Sequence, residues 1–484
     1  MHMPGLRFIV VATLSLSACE LSGGGPGSPR PPLTRSELLP APKPTPIDRS
    51  ALPQSAYRPD QDGFRVHEWG TLTSVLGSDG VALPGLHHEE EDLPAFVADR
   101  VAQGKADPSK VIDPTFQKME TPVTYFYAPS GLTVSARVDF PPGMLTQWYP
   151  YVNSMYPPMT SIQGQPLDRY LQPLATIPAL CQRYYEKIGR GYLDWGQIEV
   201  LAPAARPELP GPLGSSTWGF ARNTASNPLR VVNALGEQHE KFLFYRGLGT
   251  FELPMHVRFN GSRPVFRYGE VPGARTVGGL FLMVVGPHGA GFTELGTLQE
   301  GAELEAGLPE PALPHAAFIA SLKTRLAARL VEDGLYTDEA VAMVDTWERS
   351  YFLTPGVRLL YLLPQTYTDQ IIPLTIRPAP DKLARTMVIR AELLTPEYEQ
   401  QLSGWLAQLG ASAPADRAAA QAHFLSLGRF AEPHLTRALA LATDPASKQA
   451  GEELLNQVRD HRQRWTPQTE IGRASCRERV SSPV

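Results

Sequence analysis

Cysteine is nearly absent from this chain: three in 484 residues, Cys19, Cys181 and Cys476. Even in an oxidising compartment, so few exclude a fold built on disulfides. Charge is sparse too, at 19% of residues, and close to balance, with 44 basic and 49 acidic side chains for a net −5. That mixture argues against a basic nucleic-acid-binding face and equally against an acidic disordered chain. No run reaches 18 apolar residues, so nothing reads as a membrane span. Familiar catalytic signatures are missing as well. There is no Gly-x-Ser-x-Gly, and Gly214-Ser-Ser-Thr-Trp-Gly219 has the wrong spacing for a nucleophile elbow. Gly286-Pro-His-Gly-Ala-Gly291 lacks the Lys-Ser/Thr of a phosphate loop. Proline (48) and glycine (41) are abundant, which marks a loop-rich chain rather than a helical bundle. The length allows roughly two to four domains.

The first segment reads as an address. His2 and Arg7 precede an apolar stretch from Phe8 to Ala18, the length of a signal-peptide core and too short to span a bilayer. It ends in Leu16-Ser17-Ala18-Cys19, which resembles the bacterial lipobox. That resemblance implies removal of residues 1–18, acylation of Cys19, and attachment to the cell-envelope membrane through the lipid. Several acyl chains exceed what stable anchoring needs. Residues 20–60 hold ten prolines and four glycines, so 19–62 is expected to be a disordered spacer. At the other end, 470–480 resembles a read-through tail found after unrelated reading frames, and 470–484 is expected to be non-native.

Between these lies an expected α+β body over 63–395. Its dominant signal has period two. Leu132, Val134, Ala136, Val138 and Phe140 alternate with polar residues, as do Phe251, Leu253, Met255, Val257 and Phe259. Each run predicts a half-buried strand. Segments 122–127, 241–245, 279–285, 357–363, 371–376 and 386–390 read as further strands, and Asn260-Gly261 suits a hairpin turn. The pattern predicts an antiparallel β-sandwich-like body. A helical hairpin is expected over 314–352, with Phe318, Leu322, Leu326 and Leu330 on one helix. Thr337 would cap the second, whose stripe is Ala340, Val344, Trp347 and Tyr351. From Thr395-Pro396 the chain predicts a C-terminal α-helical cap over 396–469. Residues 424–458 resemble one HEAT-type helical unit, which alone cannot bury its own face.

Two clusters could carry function. His87, His88, Glu89, Glu91 and Asp92, with His67 some twenty residues earlier, offer imidazole and carboxylate ligands for a divalent metal of a hydrolase. The spacing is poor, because His67 and Glu68 face opposite sides of a strand and no His-Glu-x-x-His is present. The same run reads more readily as a solvated acidic loop before Leu93-Pro94. The second cluster is aromatic: residues 148–195 contain nine of the 24 Trp and Tyr residues. Trp148, Tyr149, Tyr151, Tyr156, Tyr192 and Trp195 would suit a protein or glycan ligand if their rings are exposed. If buried, they staple a loop-rich region to the body.

Val66-His-Glu-Trp-Gly-Thr71, Lys118-Met-Glu-Thr-Pro-Val123, Gln147-Trp-Tyr-Pro150 and Lys241-Phe-Leu-Phe-Tyr-Arg-Gly247 together resemble an uncharacterised family of exported bacterial proteins. The resemblance spans roughly 64–395, implies a single unit there, and brings no activity with it. The reading is a lipid-anchored envelope protein that binds a protein or glycan. The alternative is the metal-dependent hydrolase.

Overall fold

The computed structural model describes residues 43–89, 93–100, 114–157, 161–162, 165–166, 191–233 and 235–459. In chain order the strands begin with β1 (Arg65–Leu76), β2 (Ala98–Asp99), β3 (Gln117–Tyr127), β4 (Leu132–Phe140), β5 (Gly143–Tyr149) and β6 (Ser154–Tyr156). Then come β7 (Ser161–Ile162), β8 (Gln165–Pro166), β9 (Gly191–Val200), β10 (Leu229–Asn233), β11 (Gly236–Glu240) and β12 (Phe242–Gly249). They continue with β13 (Met255–Asn260), β14 (Arg263–Tyr268), β15 (Thr276–Val285), β16 (Ala290–Gln299) and β17 (Glu303–Glu305). Last are β18 (Gly356–Leu363), β19 (Leu374–Arg377) and β20 (Lys382–Leu393). The helices are α1 (Pro59–Asp62), α2 (Trp218–Ala221), α3 (His315–Glu332), α4 (Thr337–Trp347) and α5 (Gln365–Ile371). After β20 follow α6 (Pro396–Leu409), α7 (Pro414–Ser426), α8 (Ala431–Leu441) and α9 (Pro445–Arg459).

The fold is mixed α and β, with large, mainly antiparallel sheets. A nine-stranded sheet runs β16-β15-β18-β20-β1-β3-β12-β5-β2. A six-stranded sheet runs β11-β10-β9-β4-β19, with β6 on β9. Smaller sheets are β13-β14-β17 and β7-β8. One pairing departs from the antiparallel expectation. β1 and β20 are parallel in unbroken register from Arg65↔Lys382 to Leu76↔Leu393. Both are central strands buried on both faces, where parallel pairing is at home.

Period two became strand where one face could be covered. In β4, Val134, Ala136, Val138 and Phe140 are buried, as the alternation demands. The 251–259 alternation is strand only from Met255 onward. β13 returns as β14 through Gly261-Ser262, and Gly261 takes φ 60, a left-handed value that a side chain would resist. Segment 371–376 is divided between the end of α5 and the start of β19.

The helical hairpin stands where its periodicity placed it, with Phe318, Leu322, Leu326, Leu330, Ala340, Val344, Trp347 and Tyr351 all buried. Its second cap differs from expectation. Glu339 reaches back to accept from the Tyr336 backbone N–H at 2.7 Å, while the Thr337 hydroxyl donates to Pro53 O at 2.8 Å. That second contact corrects the spacer boundary. Residues 43–62 are not loose chain but lie on the hairpin. The Thr45 N–H and hydroxyl donate to Glu348 at 2.8 and 2.6 Å, and the buried Lys323 ammonium donates to Thr45 O.

From Thr395, whose hydroxyl accepts from Tyr398 N at 3.1 Å, the chain is helical. These helices share a second apolar cluster with Val75, Leu83 and Leu86. Leu402, Leu406, Leu409, Phe424 and Leu435 fill it. Ionic contacts complete the join. Arg437 holds Glu399 at 2.7 Å and Asp79 at 2.9 Å, and Arg429 pairs with Glu120 of β3. Among the described residues no helix is long and apolar enough to cross a membrane.

Candidate functional site

The histidines foreseen as metal ligands are placed apart. His67 faces α4, where its Nδ1 meets Glu339 Oε2 at 2.8 Å. Tyr127 OH donates to the other Glu339 oxygen at 2.7 Å, and the Tyr336 ring lies 4.3 Å from the imidazole. Burial and the Glu339 carboxylate hold the Tyr127 phenol far above its ordinary range. Glu68 points the other way, as strand geometry requires, and pairs with Arg385 at 2.7 Å. His87 Nδ1 meets Glu432 of α8 at 3.0 Å, and His88 is buried beside it. Burial alone would raise the Glu432 carboxyl, but His87 and Arg459 hold it below the usual range. His67 and His87 thus each serve a carboxylate on a different helix, Glu339 on α4 and Glu432 on α8. Among the described residues no group of three or more His, Cys, Asp or Glu side chains is placed to hold one metal ion. Glu91 and Asp92 lie outside the described residues, as do Cys19, Cys181, Cys476 and the 460–484 segment.

Glu89 is half-buried and held in ion pairs. Its two oxygens clamp Lys118 Nζ at 2.8 Å and Arg246 Nη1 at 2.9 Å. Burial works to raise its carboxyl, and those two cations outweigh it.

The described aromatics of this segment are largely core. Trp148, Tyr149, Tyr151 and Trp195 are buried: β5 is covered on both faces, so adjacent Trp148 and Tyr149 are both enclosed, Trp195 lies on the covered face of β9, and Tyr151 follows just after β5. Tyr156 and Tyr192 stand opposite each other in the β6–β9 ladder and are half-buried, with Arg137 stacked 3.7 Å from the Tyr192 ring. Tyr170, Tyr184 and Tyr185 lie outside the described residues.

A cleft forms elsewhere, on one face of the nine-stranded sheet. β12 sends Phe242, Phe244 and Arg246 to it at alternate positions, and β1 contributes Trp69. Trp218 of α2 forms a wall, 5.2 Å from the Phe242 ring and 4.8 Å from Phe244. Its indole N–H donates to Glu240 at 3.0 Å, and Glu240 is in turn held by Arg222 at 2.7 Å, so the ring is fixed. Leu93, Val123 and Ala221 add apolar lining. Its enclosed space is small, about 20 Å³, room for a single water, behind an open mouth.

The backbone beside the cleft is irregular at one level across three strand pairs. Thr121 and Pro122 oppose the single residue Gly70, and β12 slips against both β3 and β5 between Phe244 and Gly247. A Cβ on Gly70 would meet Pro122 Cα at 2.9 Å, so the bulge fits only glycine there. Proline is tolerated in this central strand because the bulge frees it from the ladder. Thr121 takes φ 57, an unusual value for a β-branched residue, and its Oγ1 accepts from Trp347 Nε1 at 3.2 Å. Strain of this kind is held in place by its surroundings and concentrates at sites of function.

The sequence carried one signal for this cleft, the Gly214–Gly219 run, which has no nucleophile geometry but delivers Ser216, Thr217 and Trp218 to the wall. No family model matches the chain, and no curated protein matches it.

Proposed function

We propose that this chain is a non-catalytic binding protein of the bacterial cell envelope, tethered by a lipidated Cys19. Its ligand site is the cleft over Trp69, Trp218, Phe242 and Phe244. The observation that carries the reading is the rigid aromatic wall beside the strained Thr121 bulge. The polar lining consists of Thr121, Ser216, Thr217, Arg246 and Thr346. Among the described residues the lining offers no carboxylate, amide or imidazole to a ring of sugar hydroxyls, which favours an apolar group of a protein ligand over a glycan. The hydrolase alternative draws no support from His67 and His87, which pair with carboxylates on two different helices.

The nine- and six-stranded sheets are read as the two layers of a sandwich beneath the cleft. Trp195 of the smaller sheet lies 6.4 Å from Tyr245 of the larger, in one apolar cluster. The C-terminal helices close one end of that body as a cap.

Calorimetric titration tests the reading, with N-acetyl-phenylalaninamide beside methyl glucoside on the full chain. Saturable binding of the first, lost in Trp218→Ala, is expected. Binding of the glucoside alone would overturn it.

A further inference from the structure

Residues 43–62 meet the α3–α4 hairpin along two seams of different character. The inner seam is partly apolar. Leu52 is buried in the main core, and the Tyr57 ring centre lies 5.3 Å from that of Tyr127 and 6.4 Å from that of Tyr336. Thr337 ties the same stretch down: its hydroxyl donates to Pro53 O and accepts from Ser55 N–H at 2.9 Å. The outer seam, 43–51, contains no buried residue, and 48–51 are exposed. Ile47 touches the core only in part.

Thr45 holds this outer seam. Its N–H and hydroxyl donate to the two oxygens of Glu348, and its carbonyl accepts from Lys323 Nζ at 2.9 Å. The ammonium also meets Asp345 at 2.6 Å and Glu348 at 2.7 Å, so the strap supplies one acceptor of a group that carries three protons. Water serves each of these groups as well. Covering the ions costs solvation, which the strap offsets only through bonds that end on charges. A segment docked in this way, with little apolar area of its own, opens locally well below the free energy of global unfolding.

The opening has a defined extent. Leu52 fixes the inner end, so release of Thr45 frees 43–51 and leaves Tyr57 and the hairpin in place. Extended at about 3.3 Å per residue, the freed stretch spans up to about 30 Å.

Resting on the lipid tether proposed above, we infer that residues 43–51 are a latch that gives the tether two lengths. Closed, Thr45 clips the chain to Lys323 and Glu348 and the tether is short. Open, the chain is anchored first at Leu52 and the body ranges farther from the membrane.

Hydrogen exchange on the full chain tests the latch, with native protein and Cys19→Ala side by side. The Thr45 amide is expected to exchange with little dependence on urea, while the central amides of α3 exchange only as the chain unfolds. Thr45→Val removes the hydroxyl donor and should speed exchange of the residue-45 amide about tenfold or more, with α3 and α4 unchanged. A Thr45 amide that follows the urea dependence of α3 in the native chain would overturn the latch, and so would an unchanged rate in Thr45→Val. On vesicles bearing the lipidated chain, energy transfer from a dye on the body to a membrane dye should fall in Thr45→Val. Equal transfer despite faster exchange would overturn the two lengths. A chain that carries no lipid would sink the tether reading alone, because the exchange arm reads the latch in Cys19→Ala as well.

Discussion

Glu68 on the first long strand and Arg385 on the last stand directly opposite in the parallel β1–β20 register and meet at 2.7 Å, neither side chain exposed. Tyr245 OH and Thr124 Oγ1 donate to the other Glu68 oxygen, at 2.5 and 3.0 Å. Asp369 takes the far side of the guanidinium at 2.8 Å. Breaking this pair from one side strands a buried charge. Arg385→Met should therefore cost about 3–5 kcal/mol in urea denaturation, and Glu68→Met/Arg385→Met should cost less than that single change. A double variant as unstable as the sum of its singles would show that the two residues act independently.

Acid should loosen the join between β3 and the C-terminal helices. Burial would raise the Glu120 carboxyl, but Arg429, Lys118, the Tyr351 hydroxyl and Arg390 bring it from an ordinary 4.5 down to about 2. A depressed carboxyl contributes stability that is complete above its unfolded value and lost as pH falls toward the folded one. Glu120→Gln should thus lose about 3–5 kcal/mol at pH 7, with the gap to the native protein narrowing between pH 4.5 and 3. Denaturation curves at those pH values decide the point; a constant gap would contradict it.

His434 titrates in a higher window. Burial lowers it from 6.5 to about 4, against the opposite pull of Glu392. The folded chain keeps the imidazole neutral where the unfolded chain protonates it, so stability falls from pH 6.5 to pH 4 and levels off below. That loss is at most on the order of 3 kcal/mol. His434→Phe should flatten the melting temperature across this range relative to the native protein. An unchanged slope would place the acid sensitivity elsewhere.

Cys19→Ala should move the protein from the membrane fraction to the soluble envelope fraction and abolish incorporation of a labelled fatty acid. Labelling that persists in the variant would contradict the lipid tether. With residues 43–62 docked on the hairpin, they would add no length to a tether from Cys19.

Local patterns were legible in the sequence where a single face decides them. Val134, Ala136 and Val138 announced β4, and Leu322 and Leu326 announced α3, since burial of one face follows directly from period. The β1–β20 pairing was not, because Glu68 and Arg385 are far apart along the chain and neither alternation nor propensity encodes a distant partner. The aromatic count over 148–195 was real, yet Trp148 and Trp195 alternate inward on strands, and counting rings does not tell which side they face. Compositional reading also failed at Thr45 and Pro53, where proline-rich chain is fixed by hydrogen bonds to helices far downstream. The cleft was hidden for the same reason. Trp69, Thr121, Trp218, Phe244 and Thr346 each look like ordinary core residues, and only the tertiary fold brings them to one place.

Binding of an apolar group in this cleft is followed at the cleft itself by nuclear magnetic resonance of the indole N–H signals. N-acetyl-phenylalaninamide would be titrated into the full chain, with Trp69→Phe and Trp218→Phe assigning the two cleft resonances. The account predicts saturable shifts of Trp69 and Trp218, with Trp405 unmoved, since it stacks 4.4 Å from His423 in the C-terminal helices. No shift at Trp69 and Trp218, or equal shifts at all three indoles, would contradict it.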